Sequence, residues 1–121
     1  MDVTFKIHSC TWFPPKGYVA ITLFNHIIFK GTKEYVEELL QTHYGKTIVN
    51  HERIHVIQGE TLGWLKFYIL YLYYYIENRR QGYSHNVAYH RIPFEAEAFA
   101  NEENFSYSDT HWESYIYPLN K

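Results

Sequence analysis

The stretch NHERIHVIQ, residues 50–58, constrains the fold more than any other part of the chain. At about 100° per residue on an α-helix, His51, His55 and Gln58 fall on one narrow stripe. This stripe has apolar residues on both sides, namely Val49, Val56, Ile54 and Ile57. A helix that is apolar on both flanks of a polar stripe is mostly buried in a globular protein. The sequence therefore predicts a buried helix, from about Thr47 to Gln58, that carries polar side chains into the interior.

The segments around this helix predict an α+β fold. Strand-like residues come first, at Thr4–Ile7 and at Tyr18–Lys30, the latter as one long strand or two broken near Asn25. Further helices are predicted over Lys33–Tyr44, about Glu60–Asn78, and PFEAEAFANEEN, which begins at Pro93. The stretch His85–Ile92 is expected to connect two helices, and the tail is expected to be a loop or short helix. Strands followed by helices indicate a small antiparallel or mixed sheet packed on the buried helix.

Size and charge limit the class of protein. The chain has 121 residues, of which 46% are apolar, so we expect a single domain over residues 1–121. Its net charge of -2 lacks the basic excess of nucleic-acid-binding domains. The most apolar run, WLKFYILYLYYYI, is shorter than the roughly 20 residues of a transmembrane helix. Cys10 is the single cysteine and the start resembles no signal peptide, so we expect a cytoplasmic protein.

The buried helix contains the pattern H-E-x-x-H at residues 51–55. Histidines four apart project from one helix face, so His51 and His55 can bind one Zn²⁺ ion through their ring nitrogens. Glu52 lies about 100° round the helix, within reach of a water molecule on such an ion, as a general base must be. The alternative is a pair of buried histidines held by hydrogen bonds without a metal. Buried imidazoles need partners in either case.

A mononuclear zinc site needs a third protein ligand, and the candidates are Glu95 and Glu97. Two residues apart on a helix, these side chains face roughly opposite ways, so only one can serve. Glu97 shares its stripe with Asn101, which can support a ligand through its carboxamide, and this favours Glu97. Glu95 remains the alternative third ligand. It shares a stripe with Phe99 and Glu102, and we expect Glu102 to face solvent.

The pair of segments VNHERIHVIQ and IPFEAEAFANE resembles the small zincin-like metallopeptidase domains of the gluzincin type, many of them uncharacterised bacterial proteins. The run at residues 97–100, EAFA, is also similar to the Glu-Gly-Phe-Ala run of gluzincin aminopeptidases. The resemblance covers roughly residues 45–105. It implies a zincin-like fold, with His51, His55 and Glu97 as zinc ligands and Glu52 as general base. Two departures are a longer gap before Glu97 and an asparagine, Asn101, where many gluzincins have aspartate.

The resulting expectation is a zinc-dependent metallopeptidase that hydrolyses peptide or protein substrates. Gln58 and Asn101 are expected to support the ligands. His90 and Arg91, together with Tyr89 and His85, precede the ligand helix and are candidate hydrogen-bond donors to the oxyanion of the transition state. The alternatives are that Arg91 pairs with Glu95 and that His85 is an exposed loop residue.

A second hypothesis is a zincin-fold binding protein with little or no peptidase activity. Its partner surface would be the tyrosine-rich helix at residues 62–78, whose tyrosines are Tyr68, Tyr71, Tyr73, Tyr74 and Tyr75. Tyrosine packs as a hydrophobe and keeps a hydroxyl for a wet surface, so it suits such interfaces. Residues 64–76 would then serve in self-association or in contact with a membrane surface.

Overall fold

The N-terminal part of the chain forms a three-stranded mixed sheet. The structure, a computed structural model, describes residues 3–116. The strands lie in the order β1-β3-β2, with β1 parallel and β2 antiparallel to β3, and their bounds are β1 Lys6–Cys10, β2 Ala20–Leu23 and β3 His26–Lys30. Of the two predicted alternatives for Tyr18–Lys30, two strands broken near Asn25 are the one that forms. The chain reverses between them at Phe24, whose φ of 55° is in the left-handed region.

Five helices and one 3₁₀ turn follow the sheet, so the fold is α+β as predicted. The helices are α1 Lys33–Leu39, α2 His43–Leu62, α3 Trp64–Arg80, α4 His85–His90 and α5 Pro93–Asn101, and the 3₁₀ turn is Trp112–Tyr115. Pro93 begins α5 as predicted, since its missing N–H costs nothing in the first turn. The last residues of the predicted tail, 117–121, lie outside the described part of the chain.

The helix predicted over Lys33–Tyr44 is in fact divided between α1 and α2. Thr42 caps α2 by accepting a hydrogen bond from the Gly45 N–H at 2.9 Å. Gly45 therefore lies in the first turn of a helix and does not end one. A Cβ at this position would lie 2.0 Å from the Leu39 carbonyl oxygen, so only glycine lets the two helices approach this closely.

Two further boundaries differ from the prediction. The central helix α2 continues through Gly59, where the Trp64 ring packs so closely that a Cβ would lie 2.1 Å from Cζ3. Glycine at position 59 therefore makes room for the Trp64 ring. Helix α2 ends only at Leu62, and the next residue, Gly63, has a φ of 91°. The stretch predicted as a connection, His85–Ile92, contains the short helix α4, which Ser84 caps.

Helix α2 lies between the two halves of the core. On one side Ile27, Phe29 and Val36 form a cluster between the sheet and the first helices. On the other side a second cluster, Phe67, Ile92 and Phe94, joins α3 to α5. Of the four apolar residues predicted to flank the polar stripe of α2, Ile54, Val56 and Ile57 are fully buried and Val49 is half-buried. Within residues 3–116, no helix is long and apolar enough to cross a membrane.

Candidate metal centre

Helix α2 brings His51, Glu52 and His55 together in the interior. One ligand atom from each residue lies within 4.8 Å of the others, and all three side chains are buried. The spacing of four residues places both imidazoles on one face of α2, with ring centroids 4.9 Å apart. The predicted geometry of the H-E-x-x-H segment is therefore present.

Helix α5 adds Glu95 to this group. Its Oε1 atom lies 2.9 Å from Nε2 of His51 and 3.1 Å from Nε2 of His55. Glu95 is 3% exposed, and its other oxygen, Oε2, accepts a hydrogen bond of 2.6 Å from the Tyr71 hydroxyl. One carboxylate oxygen thus faces the Nε2 atoms of both histidines, and the second oxygen is held by α3.

The other ring nitrogen of His55 is oriented by Gln58. The Gln58 amide donates from Nε2 to the Phe94 carbonyl at 3.0 Å and to Oε1 of Glu97 at 2.7 Å. Both of these partners are acceptors, so they fix the orientation of the amide and leave its oxygen free to accept. That oxygen lies 2.8 Å from Nδ1 of His55. The proton of the neutral imidazole is therefore on Nδ1, and Nε2 keeps its lone pair for a metal.

Glu102 plays the same part for His51. Its Oε1 atom lies 2.9 Å from Nδ1 of His51, and its side chain is 29% exposed. The carboxylate can only accept from a neutral or charged imidazole, so Nδ1 carries a proton. The prediction that Glu102 faces solvent is therefore wrong, because its side chain orients a candidate ligand. The signal was present in the sequence, because Glu95, Phe99 and Glu102 are spaced as one face of a helix.

Glu97 lies elsewhere. Its fully buried carboxylate accepts hydrogen bonds from four donors: Gln58 Nε2, the Tyr107 hydroxyl, the Thr110 hydroxyl and the His111 backbone N–H. These contacts attach the C-terminal segment to α5. The structure brings Glu97 next to Gln58 and not to the two Nε2 atoms, so the geometry supports Glu95 as the third ligand in place of the favoured Glu97.

Of the remaining predicted site residues, some lie near the two histidines and others lie away from them. Asn101 donates to the backbone carbonyl of Glu97 at 2.8 Å and to the Tyr115 hydroxyl at 3.1 Å, away from the histidines. His90 lines the cleft beside His51, stacked on Phe99 with ring centroids 4.6 Å apart. The guanidinium of Arg91 lies over the Tyr83 ring, 4.5 Å from its centroid, and the ion pairs of Glu95 among the described residues are with His51 and His55.

The four central side chains lie where two cavities meet. A cleft of about 680 Å³ is lined by His51 and Glu52, and a deeper pocket of about 300 Å³ is lined by His55, Glu95 and again Glu52. The two cavities also share lining residues outside α2, namely Tyr18, Ala20, His85 and Tyr89. The predicted donor His85 is exposed, and its ring nitrogens lie 2.9 Å from the hydroxyls of Tyr18 and Tyr75.

Burial and the charges of neighbouring side chains together set the pKa values in this group. Burial alone would lower the pKa of His51, but its hydrogen bonds to Glu102 and Glu95 outweigh burial and raise the pKa to about 10. Burial alone would raise the pKa of Glu95, but the charge of His55, the hydrogen bond of His51 and the close contact with Nε2 of His55 lower it instead. Burial raises the pKa of Glu52, which also accepts a 2.7 Å hydrogen bond from Thr22. Glu52 is therefore the carboxylate most ready to take up a proton.

The donor set fits a zinc ion. Two imidazole nitrogens and one carboxylate oxygen are a ligand set that catalytic zinc sites use. Nε2 of His55 is buried and makes no hydrogen bond with any described residue. It lies 3.1 Å from Oε1 of Glu95, but the geometry of this contact is not that of a hydrogen bond. Such a buried nitrogen is unfavourable unless something binds it. A metal ion at His51, His55 and Glu95 would supply that partner.

Comparison with protein-family models, with curated proteins and with solved structures finds no match to this chain.

Proposed function

We propose that this chain is a zinc-dependent metallopeptidase with a zincin-like fold. The observation that carries the proposal is the convergence of Glu95 on the two Nε2 atoms of His51 and His55, with Glu52 beside them at a cleft. Metal-assisted hydrolysis requires three protein ligands for zinc and a further carboxylate that is free to act as a base. The resemblance to gluzincin-type domains supports the same conclusion, with Glu95 in the role that it assigned to Glu97.

Each residue has a separate task in this reaction. His51, His55 and Glu95 would hold the metal, while Glu102, Gln58 and Tyr71 orient these three side chains. A zinc ion bound there would supply a Lewis acid, which lowers the pKa of a water molecule and polarises a carbonyl group. Glu52 accepts the proton from the attacking water and passes it to the leaving amine nitrogen. Its raised pKa suits a group that must first take up a proton and then release it.

Tyr89 is the donor best placed to stabilise the oxyanion. It lines both cavities next to Glu52, whereas Arg91 lies on Tyr83. Burial, followed by the negative charges of Glu95 and Glu52, raises the pKa of Tyr89, so the hydroxyl keeps its proton. A protonated hydroxyl at this position donates a hydrogen bond where negative charge develops on the carbonyl oxygen. His90 lines the outer cleft and is a second candidate donor.

The cavities define the kind of substrate. The inner pocket is lined mainly by apolar and aromatic side chains, including Leu23, Phe67, Tyr68 and Ile92, which suits a large apolar side chain next to the scissile bond. The inner pocket is lined along the length of β2, which pairs with β3 on one side within the described residues. An extended peptide along β2 would pass directly over Glu52. We therefore propose peptides as substrates, and the single cysteine fits a cytoplasmic location.

Two observations support rival functions. Both ring nitrogens of His51 face carboxylates, an arrangement that a metal-free ion-pair network would also have. The outer face of α3 is apolar and exposed, as in a binding protein that does not cleave its partner. Metal analysis after purification without chelator or metal affinity column separates the first rival from a zinc protein, because a structural network binds no zinc.

Substitution Glu52→Gln tests the reaction itself. This variant keeps all three proposed ligands, so we expect one zinc per chain and a loss of peptide hydrolysis of about 100-fold or more. The assay is cleavage of a fluorogenic peptide library, with zinc content measured on the same samples. The matched control is Glu34→Gln, at an exposed position on α1, which should leave both the zinc content and the rate of hydrolysis unchanged. Full activity in Glu52→Gln would contradict the mechanism, and a zinc-loaded wild type that cleaves nothing would support the binding protein.

A further inference from the structure

The solvent side of α3 carries a row of aliphatic residues, which we call the α3 seam: Leu65, Ile69, Leu72 and Ile76. Their exposed fractions are 77%, 58%, 58% and 47%. The spacing between them is four, three and four residues, so on an α-helix they fall within a stripe about 60° wide. This is the spacing with which two helices pack side by side in a coiled coil.

The tyrosines predicted to form a partner surface lie mostly on the other sides of α3. Tyr68, Tyr71, Tyr74 and Tyr75 pack around the cluster of Phe67, Ile92 and Phe94, and Tyr73 is the exposed one of the five. The hydroxyls of Tyr68, Tyr71 and Tyr75 also form hydrogen bonds with other residues of the same chain, namely Phe24, Glu95 and His85. An outward surface on this helix is therefore aliphatic, with Tyr73 at its margin.

We propose that the α3 seam packs antiparallel on the α3 seam of a second copy of this chain across a two-fold axis. In this arrangement Leu65 of each copy faces Ile76 of the other, and Ile69 faces Leu72. The contact is self-complementary, as a two-fold interface must be. It uses none of the metal-site residues, so it is independent of the proposed peptidase activity.

The charges at the two ends of the seam favour the antiparallel direction. Arg79 and Arg80 lie in the last turn of α3, and Arg80 is already paired with Glu77 at 2.7 Å. The exposed Glu60 lies in the last turn of α2, just before α3 begins. An antiparallel pair places Arg79 of one copy near Glu60 of the other. A parallel pair would instead bring the arginines of both copies together, and like charges across an interface are unfavourable.

The size and width of the seam favour a helix over a membrane as its partner. Together with Tyr73, the four seam side chains expose an area on the order of 500 Å² per copy. Two copies therefore bring about 1,000 Å² to the contact, which is roughly the total buried area that a specific interface needs. A helix lying in a membrane surface buries a broad apolar face. In α3 the broad face, around Phe67 and Tyr71, is inside the protein, and only the narrow seam is left outside.

Sedimentation velocity over a range of protein concentrations tests this dimer. We expect the wild type to shift from monomer to dimer with rising concentration, and Ile69→Glu/Leu72→Glu to weaken dimerisation by at least about 100-fold. The control is Val87→Glu, an apolar position on α4 that is 42% exposed, which should dimerise like the wild type. A wild type that stays monomeric at all concentrations overturns the proposal. So does binding of monomeric protein to phosphatidylserine-containing vesicles that is lost in Ile69→Glu/Leu72→Glu.

Disulfide trapping tests the direction of packing. In a Cys10→Ser background, Leu65→Cys protein mixed with Ile76→Cys protein should form mixed dimers at least about tenfold faster than either forms with itself. Faster trapping of Leu65→Cys with itself would show a parallel pair and overturn the antiparallel arrangement. Both positions are exposed, so the fold should tolerate cysteine there. The charge swap Arg79→Glu should weaken the dimer, and adding Glu60→Arg should restore it.

Discussion

Oε1 of Glu95 lies 2.9 Å from Nε2 of His51, although the two residues are on different helices and 44 positions apart. The same oxygen lies 3.1 Å from Nε2 of His55. This contact decides which acidic residue of α5 belongs to the candidate metal site. It also makes the behaviour of the site depend on the groups that hold Glu95 and His51 in place.

Glu102 should matter for metal affinity although it does not itself reach the metal position. Substitution Glu102→Gln removes the carboxylate from Nδ1 of His51, which orients the ring and increases the basicity of Nε2. We expect zinc affinity to fall about 10- to 100-fold, as is usual for groups that orient metal ligands. Competition with a fluorescent chelator measures this change. Glu103→Gln is the control, because the neighbouring Glu103 pairs with the exposed His43 instead; an equal loss in both variants would contradict the role of Glu102.

Tyr71 should stabilise the site from the side of α3. Tyr71→Phe keeps the ring but removes the hydrogen bond of 2.6 Å to Oε2 of Glu95. Because the acceptor is a buried carboxylate, the free energy of unfolding of the metal-free protein should fall by about 1 to 3 kcal/mol, with a weaker zinc affinity. Urea denaturation in EDTA measures the first effect. Tyr73→Phe, on the exposed face, should change neither; unchanged stability in Tyr71→Phe would mean that the bond contributes nothing.

The metal-free protein should lose stability as the solution becomes alkaline. The pKa of His51 is raised from 6.5 to about 10 in the folded chain, so its contribution is complete below about pH 6.5 and disappears as the pH rises toward 10. Zinc should reverse this trend, because zinc binding requires neutral imidazole. Urea denaturation between pH 6 and pH 10, with EDTA and with zinc, measures both slopes. His51→Gln should flatten the slope in EDTA, and a wild-type stability that rises with pH in EDTA would contradict the ion-pair arrangement.

The inner pocket should determine which peptides are cleaved. Leu23→Lys places a charge at the wall of this pocket, so kcat/KM for peptides with a large apolar residue beside the scissile bond should fall about 10- to 100-fold. Profiling with a peptide library measures the change, and zinc content should stay the same. Ile7→Lys is the control, since Ile7 is equally exposed but lies on β1 and does not line this pocket. An unaltered specificity profile in Leu23→Lys would place substrate binding elsewhere.

The sequence predicts the central helix and the grouping of polar side chains on it, because both follow from local periodicity. Four-residue spacing puts His51 and His55 on one face, and the apolar flanks predict burial. The fold class and the start of α5 at Pro93 are likewise local features. Each depends on the identity of a few residues and on helix geometry, and the structure agrees with each.

The choice between Glu95 and Glu97 could not be made in the same way. Both carboxylates are buried, at 3% and 0% exposure, so the burial of α5 does not distinguish them. The decision depends on how α5 is rotated against α2, and on the C-terminal segment that supplies the donors for Glu97. The break between α1 and α2 is equally non-local, because it depends on the close approach of Gly45 to Leu39.

The most direct test of the metal site compares two isosteric variants, Glu95→Gln and Glu97→Gln, by zinc stoichiometry and affinity. The wild type should bind one zinc per chain, and Glu95→Gln should lose more than about 100-fold in affinity, beyond the effect of a group that only orients ligands. Glu97→Gln should keep its zinc to within about tenfold and lose stability instead, since its carboxylate has four hydrogen-bond donors and no contact with the two Nε2 atoms. Zinc binding that survives in Glu95→Gln and disappears in Glu97→Gln, or a wild type that binds no zinc, would contradict this account.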